Sequence, residues 1–131
     1  MPNRTKDVIR TDRAPKAIGP YSAAIKTGEF IFTAGQLGIV PDSGNIIEGG
    51  IEQETRQALL NIKNILEETS SSLDLVVKTT VYLRDMSEFT RMNSVYAEFF
   101  TENPPARSTV QVAALPKNGA VEIEAIALVS R

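Results

Sequence analysis

Chemistry in this chain must come from a short menu of groups. Its 131 residues include no cysteine and no histidine, which removes Cys/His zinc sites, thiol nucleophiles, Ser-His-Asp triads and imidazole acid–base catalysis. Carboxylates, arginine, tyrosine, hydroxyls, amides and backbone groups remain. Two of them flank one turn near the C-terminus. Arg107 opens a strand-like run through Val112, Glu122 opens another with Ile123, Glu124 and Ala125, and a turn-rich segment, 113–120, lies between.

Side chains in a strand alternate between two faces. Val110 and Val112 therefore share one face and Arg107, Thr109 and Gln111 the other; Val121, Ile123, Ala125, Ala127 and Val129 lie opposite Glu122, Glu124, Ile126 and Leu128. If the apolar faces cover a helix layer, the mixed faces point away from it, carry Arg107 and Glu122, and leave Ile126 and Leu128 wet in a monomer. That pattern predicts an oligomer with its chemistry near the interface. An arginine and a glutamate on two strands are more often a surface ion pair contributing under ~1 kcal/mol. A simple hairpin would also set Arg107 opposite about residue 128, roughly 20 Å along the strand from Glu122, so the simplest register does not pair them within one chain.

Three further residues stand at positions open to more than one use. Tyr21 follows a loop with two prolines and a glycine, 14–20, and core packing with its hydroxyl on backbone is the commoner role for such a tyrosine. Gly35 ends a strand, where a glycine admits close approach of a ligand or backbone and more often marks a bulge. Asn93 flanks an apolar helix stripe and suits solvent, a neighbouring loop or a pocket.

The elements that must position these residues read in order as three strands, a helix, a strand, a helix and two strands. Val8–Arg10 is a short strand, and residues 21–34 form a hairpin around Thr27-Gly28-Glu29. A helix runs from Ile51 to Thr69, burying Ile51, Thr55, Ala58, Leu59, Ile62, Ile65 and Leu66, with Leu60 off that face. Residues 76–83 are the most strand-like run, with Val77, Thr79, Val81 and Leu83 on one face. Asp85 and Glu88 have capping-box spacing and start a second helix through Phe100, whose apolar face is Phe89, Met92, Tyr96, Phe99 and Phe100. Two amphipathic helices on one face of a mixed sheet of about six strands make a two-layer α+β domain spanning 1–131, its other face left for a partner.

The length and 42% hydrophobic content suit one globular unit, and a formal net charge of −2 without runs of either sign lacks the footprint of a nucleic-acid binder. No apolar run approaches the ~20 residues that span a bilayer, and the N-terminus lacks the apolar core of a signal peptide. The chain reads as soluble and cytoplasmic, without a membrane partner.

Taken together, 17–22, 34–36, 76–81, 93–96, 105–108, 112–117 and 122–127 give the chain its family likeness: in these segments it resembles the RidA family of reactive-intermediate deaminases, over nearly its whole length and in order. The resemblance implies a chorismate-mutase-like α+β fold, a homotrimer whose sheets form a central barrel, and small-molecule sites in clefts between subunits. It implies hydrolysis of enamines and imines such as 2-aminoacrylate and 2-aminocrotonate, released by pyridoxal-phosphate dehydratases, to 2-keto acids and ammonia, with no cofactor or metal. It assigns carboxylate binding to Arg107, water activation to Glu122, assistance in proton transfer or positioning to Tyr21, and the lining of the cleft to Gly35 and Asn93. Thr109 stands where many members have cysteine and keeps a hydroxyl there for substrate; Ala34 stands where some have serine. The competing expectations are a regulatory protein that binds a keto acid without turnover, a translation-inhibiting ribonuclease, and a purely structural trimer.

Overall fold

Residues 5–130 are described by a computed structural model. The strands are β1 Asp7–Ile9, β2 Ala24–Thr27, β3 Phe30–Thr33, β4 Gln36–Leu37, β5 Val76–Leu83, β6 Ala106–Gln111 and β7 Val121–Leu128; the helices are α1 Ile51–Glu67 and α2 Phe89–Phe99. Strand β4 is the element that the sequence reading lacks. Both helices pack on one face of the mixed sheet, the expected α+β arrangement.

Helix α1 buries every residue of its expected stripe and leaves Leu60 exposed. It ends at Glu67 rather than Thr69, because Ser70 turns left-handed at φ 63° and the Ser71 N–H returns to the Leu66 carbonyl. Two polar residues, Glu54 and Asn61, are also buried. Asn61 donates through Nδ2 to the Leu37 and Ile39 carbonyls at 3.2 and 2.9 Å and accepts from Gln57 Nε2 at 3.0 Å. It thereby ties α1 to β4. Ahead of α2, Asp85 Oδ1 caps Ser87 N–H in a short 3₁₀ turn, 86–88, while Glu88 pairs with Arg91 instead of closing the capping box.

The sheet runs β1-β2-β3-β7-β5-β6, with β4 also on β7. Strand β6 is parallel to β5, a pairing that needs the crossover supplied by α2. Strand β5 therefore separates β6 from β7, and the expected hairpin between them does not form. The connecting segment passes over the end of β5, where Val112 N–H donates to Leu83 and Arg84 N–H to the Ala120 carbonyl. Arg107 registers with Thr79, and Glu122 with Tyr82.

That register overturns the expectation that Arg107 and Glu122 share a face. Thr79 points to the helices, where its hydroxyl meets Tyr96, and Tyr82 lies three positions along the strand, an odd offset that puts it on the opposite face. Arg107 and Thr109 thus face the helix layer, Glu122 faces away, and Val110 is 42% exposed rather than buried. In the second run the expectation holds: Val121, Ile123, Ala125 and Ala127 are in the core. The first run was too short to read, since its apolar face rested on two valines and Val112 lies beyond the strand. In β5 a register shift between Val76 and Lys78 turns Val77 out and buries Val76 in its place.

The uncovered face carries Phe30, Phe32, Ile126 and Leu128. Register sets Phe30 opposite Leu128 and Phe32 opposite Ile126, and both phenylalanines are over 40% exposed. This is the wet apolar patch expected from the sequence. On the covered side, replacing Asn61 by leucine removes the donor from two buried carbonyls and is expected to lower the unfolding free energy by about 2–4 kcal/mol. Denaturant titration of the purified variant against the parent measures it.

Candidate functional site

Glu122 is held from several directions at once. Between the pairs Phe32↔Ile126 and Gln36↔Ile123, four residues of one strand advance against three of the other, so a β-bulge falls at residues 33–35. The Thr33 hydroxyl accepts the Ala125 N–H at 3.0 Å, satisfying the ladder where the bulge interrupts it. A side chain on Gly35 would lie 2.8 Å from Glu122 Cδ, so the glutamate carboxyl occupies the space that only glycine leaves open. At the start of β7 the buried Glu54 accepts the Ala120 N–H at 2.8 Å. The preceding turn contains two left-handed residues, Lys117 and Asn118, held by Lys117 Nζ on the Gly44 carbonyl and Arg84 Nη1 on the Asn118 carbonyl.

A cavity of about 390 Å³ opens beside Glu122, bounded by Lys16, Ile18, Tyr21, Gly35 and Pro116 among others. Burial, and next the neighbouring Glu124 carboxylate, push the Glu122 carboxyl above the usual glutamate range. A group so placed binds its proton more readily than an exposed carboxylate, which suits a base that must later return it. Tyr21 does not pack in the core. It is 50% exposed, and its hydroxyl accepts the Ile18 N–H at 3.3 Å within its own loop.

Arg107 occupies a different setting. Its guanidinium carbon lies 4.7 Å from the Tyr96 ring centroid and 5.4 Å from that of Phe89. Nη1 donates to Asn93 Oδ1 at 2.8 Å. Phe89, Asn93 and Tyr96 fall on one stripe of α2, so a single helix face supplies the rings and the orienting amide. The other guanidinium edge has no protein hydrogen bond among the described residues. A second cavity, of about 370 Å³, lies beside it and includes Ala97, Phe100 and Pro105 in its walls. Thr109 lines neither cavity, and its hydroxyl is buried without a partner.

The structure thus sorts the candidates into two groups. Tyr21, Gly35 and Glu122 line one cavity; Arg107 and Asn93 line another, and Arg107 and Glu122 project from opposite faces of the sheet. Sequence reasoning missed the rings around Arg107, because an aromatic stripe on a helix reads as core. Asn93 on its flank was the available signal. Among the described residues no cluster of acidic groups is arranged to hold a metal, and no helix is long and apolar enough to cross a membrane.

Comparison with known proteins resolves the family. The model of the family described as Endoribonuclease L-PSP, the RidA (YjgF) family, matches residues 11–129. The chain belongs to this family. It is 57% identical over 122 residues to a RutC family protein of Pyrococcus horikoshii, covering 93% of this chain and 97% of that one. It is 47% identical over 128 residues to the 2-iminobutanoate/2-iminopropanoate deaminase of Bos taurus, covering 98% and 93%. The crystal structure of Escherichia coli TdcF with bound serine superposes with a TM-score of 0.91 at 41% identity, covering 95% of this chain and 100% of that one. Relatives bearing the deaminase name support a RidA-type deaminase function for the chain.

The raised Glu122 carboxyl makes a prediction about stability. An acid whose native pKa exceeds its unfolded value favours folding below the unfolded value, and that advantage is lost as pH rises through the native one. Glu122→Gln is therefore expected to be more stable than the parent at neutral pH, with the difference shrinking as pH falls through the raised native value and closed below about 4.3. Thermal unfolding of both proteins across pH reads the two curves, and parallel curves would remove the burial argument.

Proposed function

We propose that the chain assembles as a homotrimer, its uncovered sheet faces turned inward as a barrel, and hydrolyses 2-imino and 2-enamino acids in clefts between subunits. The reaction releases a 2-keto acid and ammonia, with 2-aminoacrylate and 2-aminocrotonate as the model substrates. One observation carries the reading. A guanidinium with a free edge and a carboxylate with a raised pKa stand in separate half-pockets that a single chain does not join. The exposed Phe30, Phe32 and Leu128, with the half-buried Ile126, supply apolar surface for the contact that would join them. The 2-iminobutanoate/2-iminopropanoate deaminases among the relatives supply the substrate class, and serine bound to TdcF is itself a small carboxylate ligand.

In the assembled cleft the free edge of Arg107 takes the substrate carboxylate through two parallel hydrogen bonds and fixes the reacting carbon. The enamine first takes a proton from solvent at carbon to give the iminium ion. Glu122 then draws a proton from water as its oxygen adds to the C=N carbon, giving a tetrahedral carbinolamine. Glu122 returns that proton to nitrogen, the carbon–nitrogen bond breaks, ammonia leaves, and the hydroxyl proton is lost as the ketone forms. Tyr21 stands beside Glu122 and assists positioning or proton transfer. Thr109 lies on the same face of β6 as Arg107, but its hydroxyl is buried outside both cavities, so the substrate contact expected of it has no part in this reading.

Release of ammonia and 2-keto acid from freshly generated 2-aminoacrylate should exceed the spontaneous rate, and Arg107→Ala should bring it back to that rate. Glu122→Gln should lose turnover, on the order of 10²-fold or more, while still binding the keto acid. Wild-type protein that binds the acid without accelerating the reaction would favour a regulatory binding protein instead.

The composite site has its own test. Mixing Arg107→Ala and Glu122→Gln subunits, unfolded and refolded together, should restore activity at roughly a quarter of the sites if each cleft draws on two copies. Mixtures as inactive as the separate variants, with the trimer verified by light scattering, would place both groups in one subunit's site.

A further inference from the structure

We propose that Thr79 is a positioning residue for carboxylate recognition: by holding the Tyr96 hydroxyl it fixes the ring against which the Arg107 guanidinium lies, and so sets the plane in which Arg107 presents its free edge. The inference rests on the reading of Arg107 as the carboxylate-binding group. Four contacts close on themselves. Thr79 and Arg107 are ladder partners in the parallel pair β5–β6. Thr79 Oγ1 and the Tyr96 hydroxyl are 2.7 Å apart in a buried hydrogen bond that either oxygen can donate. The Tyr96 ring centroid is 4.7 Å from the guanidinium carbon, and Asn93, one turn earlier on α2, takes Nη1 at 2.8 Å.

The geometry matters because a stacked guanidinium recognises a carboxylate only in its own plane. A tilt of that plane spoils both hydrogen bonds together. The guanidinium carbon of Arg107 lies over the Tyr96 and Phe89 rings, and the rings belong to a helix while Arg107 belongs to a strand. Without a further link, any sliding of α2 over the sheet would tilt the rings relative to the arginine. The hydrogen bond supplies that link at the far end of the tyrosine, where a small displacement gives the largest rotation. Thr79 is also directly beside Arg107 in the ladder, so ring and guanidinium are referred to the same pair of strands. Phe100 also packs on the Tyr96 ring, its centroid 4.7 Å away.

A plainer role is available to the same pair, since a buried tyrosine hydroxyl needs a partner whatever lies on its ring. The two roles separate by substitution. Thr79→Val keeps the shape and removes the hydroxyl; Thr79→Ser keeps the hydroxyl. The double variant Thr79→Val with Tyr96→Phe removes both polar groups, leaving nothing buried and unpaired. If the pair serves packing alone, the double variant should regain stability and binding together.

The experiment measures KM and kcat for 2-aminocrotonate, the affinity for 2-oxobutanoate, thermal stability, and the Arg107 Nε–H resonance, assigned by its loss in Arg107→Ala. Thr79→Val is expected to raise KM and weaken 2-oxobutanoate binding by about 3–10-fold, with kcat altered far less, because Glu122 is untouched. Thr79→Ser is expected to restore most of the affinity. The double variant should recover stability while its binding stays weak, and the Nε–H resonance should move toward the position of an unstacked arginine in both valine variants. An unchanged resonance and unchanged KM in Thr79→Val would overturn the proposal, as would recovery of binding in the double variant. Should Arg107→Ala bind 2-oxobutanoate like the parent, the carboxylate reading itself fails, and the resonance alone then decides whether Thr79 holds the arginine.

Discussion

The position of β5 between β6 and β7 is the constraint on which the rest depends. Strand β6 joins β5 as a parallel pair through a helical crossover, and β7 pairs with the other side of β5. Arg107 then registers with Thr79 and Glu122 with Tyr82, an odd number of residues apart along the same strand. Strand periodicity turns the two side chains to opposite faces of the sheet. In the proposed function, the site that uses both is completed where another subunit is brought alongside, and the apolar patch on the uncovered face is the surface proposed for that contact.

Each half is built on rigid parts, and by different means. Around Glu122 the work is done by backbone: a bulge, a glycine whose missing side chain makes room for the carboxyl, and a turn anchored through Glu54, Arg84 and Lys117. Around Arg107 it is done by side chains, two rings and an amide from one helix face. In the proposed reaction the difference matches what each group would do. Glu122 as base would hold and release a proton, and burial with a second carboxylate raises its proton affinity. An arginine keeps its charge throughout and needs only its plane fixed.

Polar residues buried away from the cavities serve the same end. Asn61 fastens β4 to α1, and the bulge that seats Glu122 lies immediately before β4. Glu54 reaches from α1 to Ala120, two residues before Glu122. Helix α1 is thus both the main cover of the core and the support from which the carboxylate is placed. Helix α2 plays the matching part for the arginine.

Much of this was written in the sequence. The stripe of α1, the strand character of residues 76–83, the inward face of β7 and the wet Ile126 and Leu128 all follow from periodicities that long amphipathic elements impose on their own. The absence of histidine and cysteine confined the chemistry, and the motifs around Tyr21, Gly35, Asn93, Arg107 and Glu122 pointed to the family before any geometry was known. Tertiary structure decided the rest. Which strand lies beside β6 is a matter of long-range pairing, and the short, half-polar run after Arg107 carries too little pattern to reveal its own face. The bulge at residues 33–35 depends on how two distant segments meet on β7, and the Thr79–Tyr96 hydrogen bond joins a strand to a helix seventeen positions away. A hydroxyl, an aromatic stripe and an asparagine each have an ordinary meaning when read along the chain. Only packing brings them to the same guanidinium.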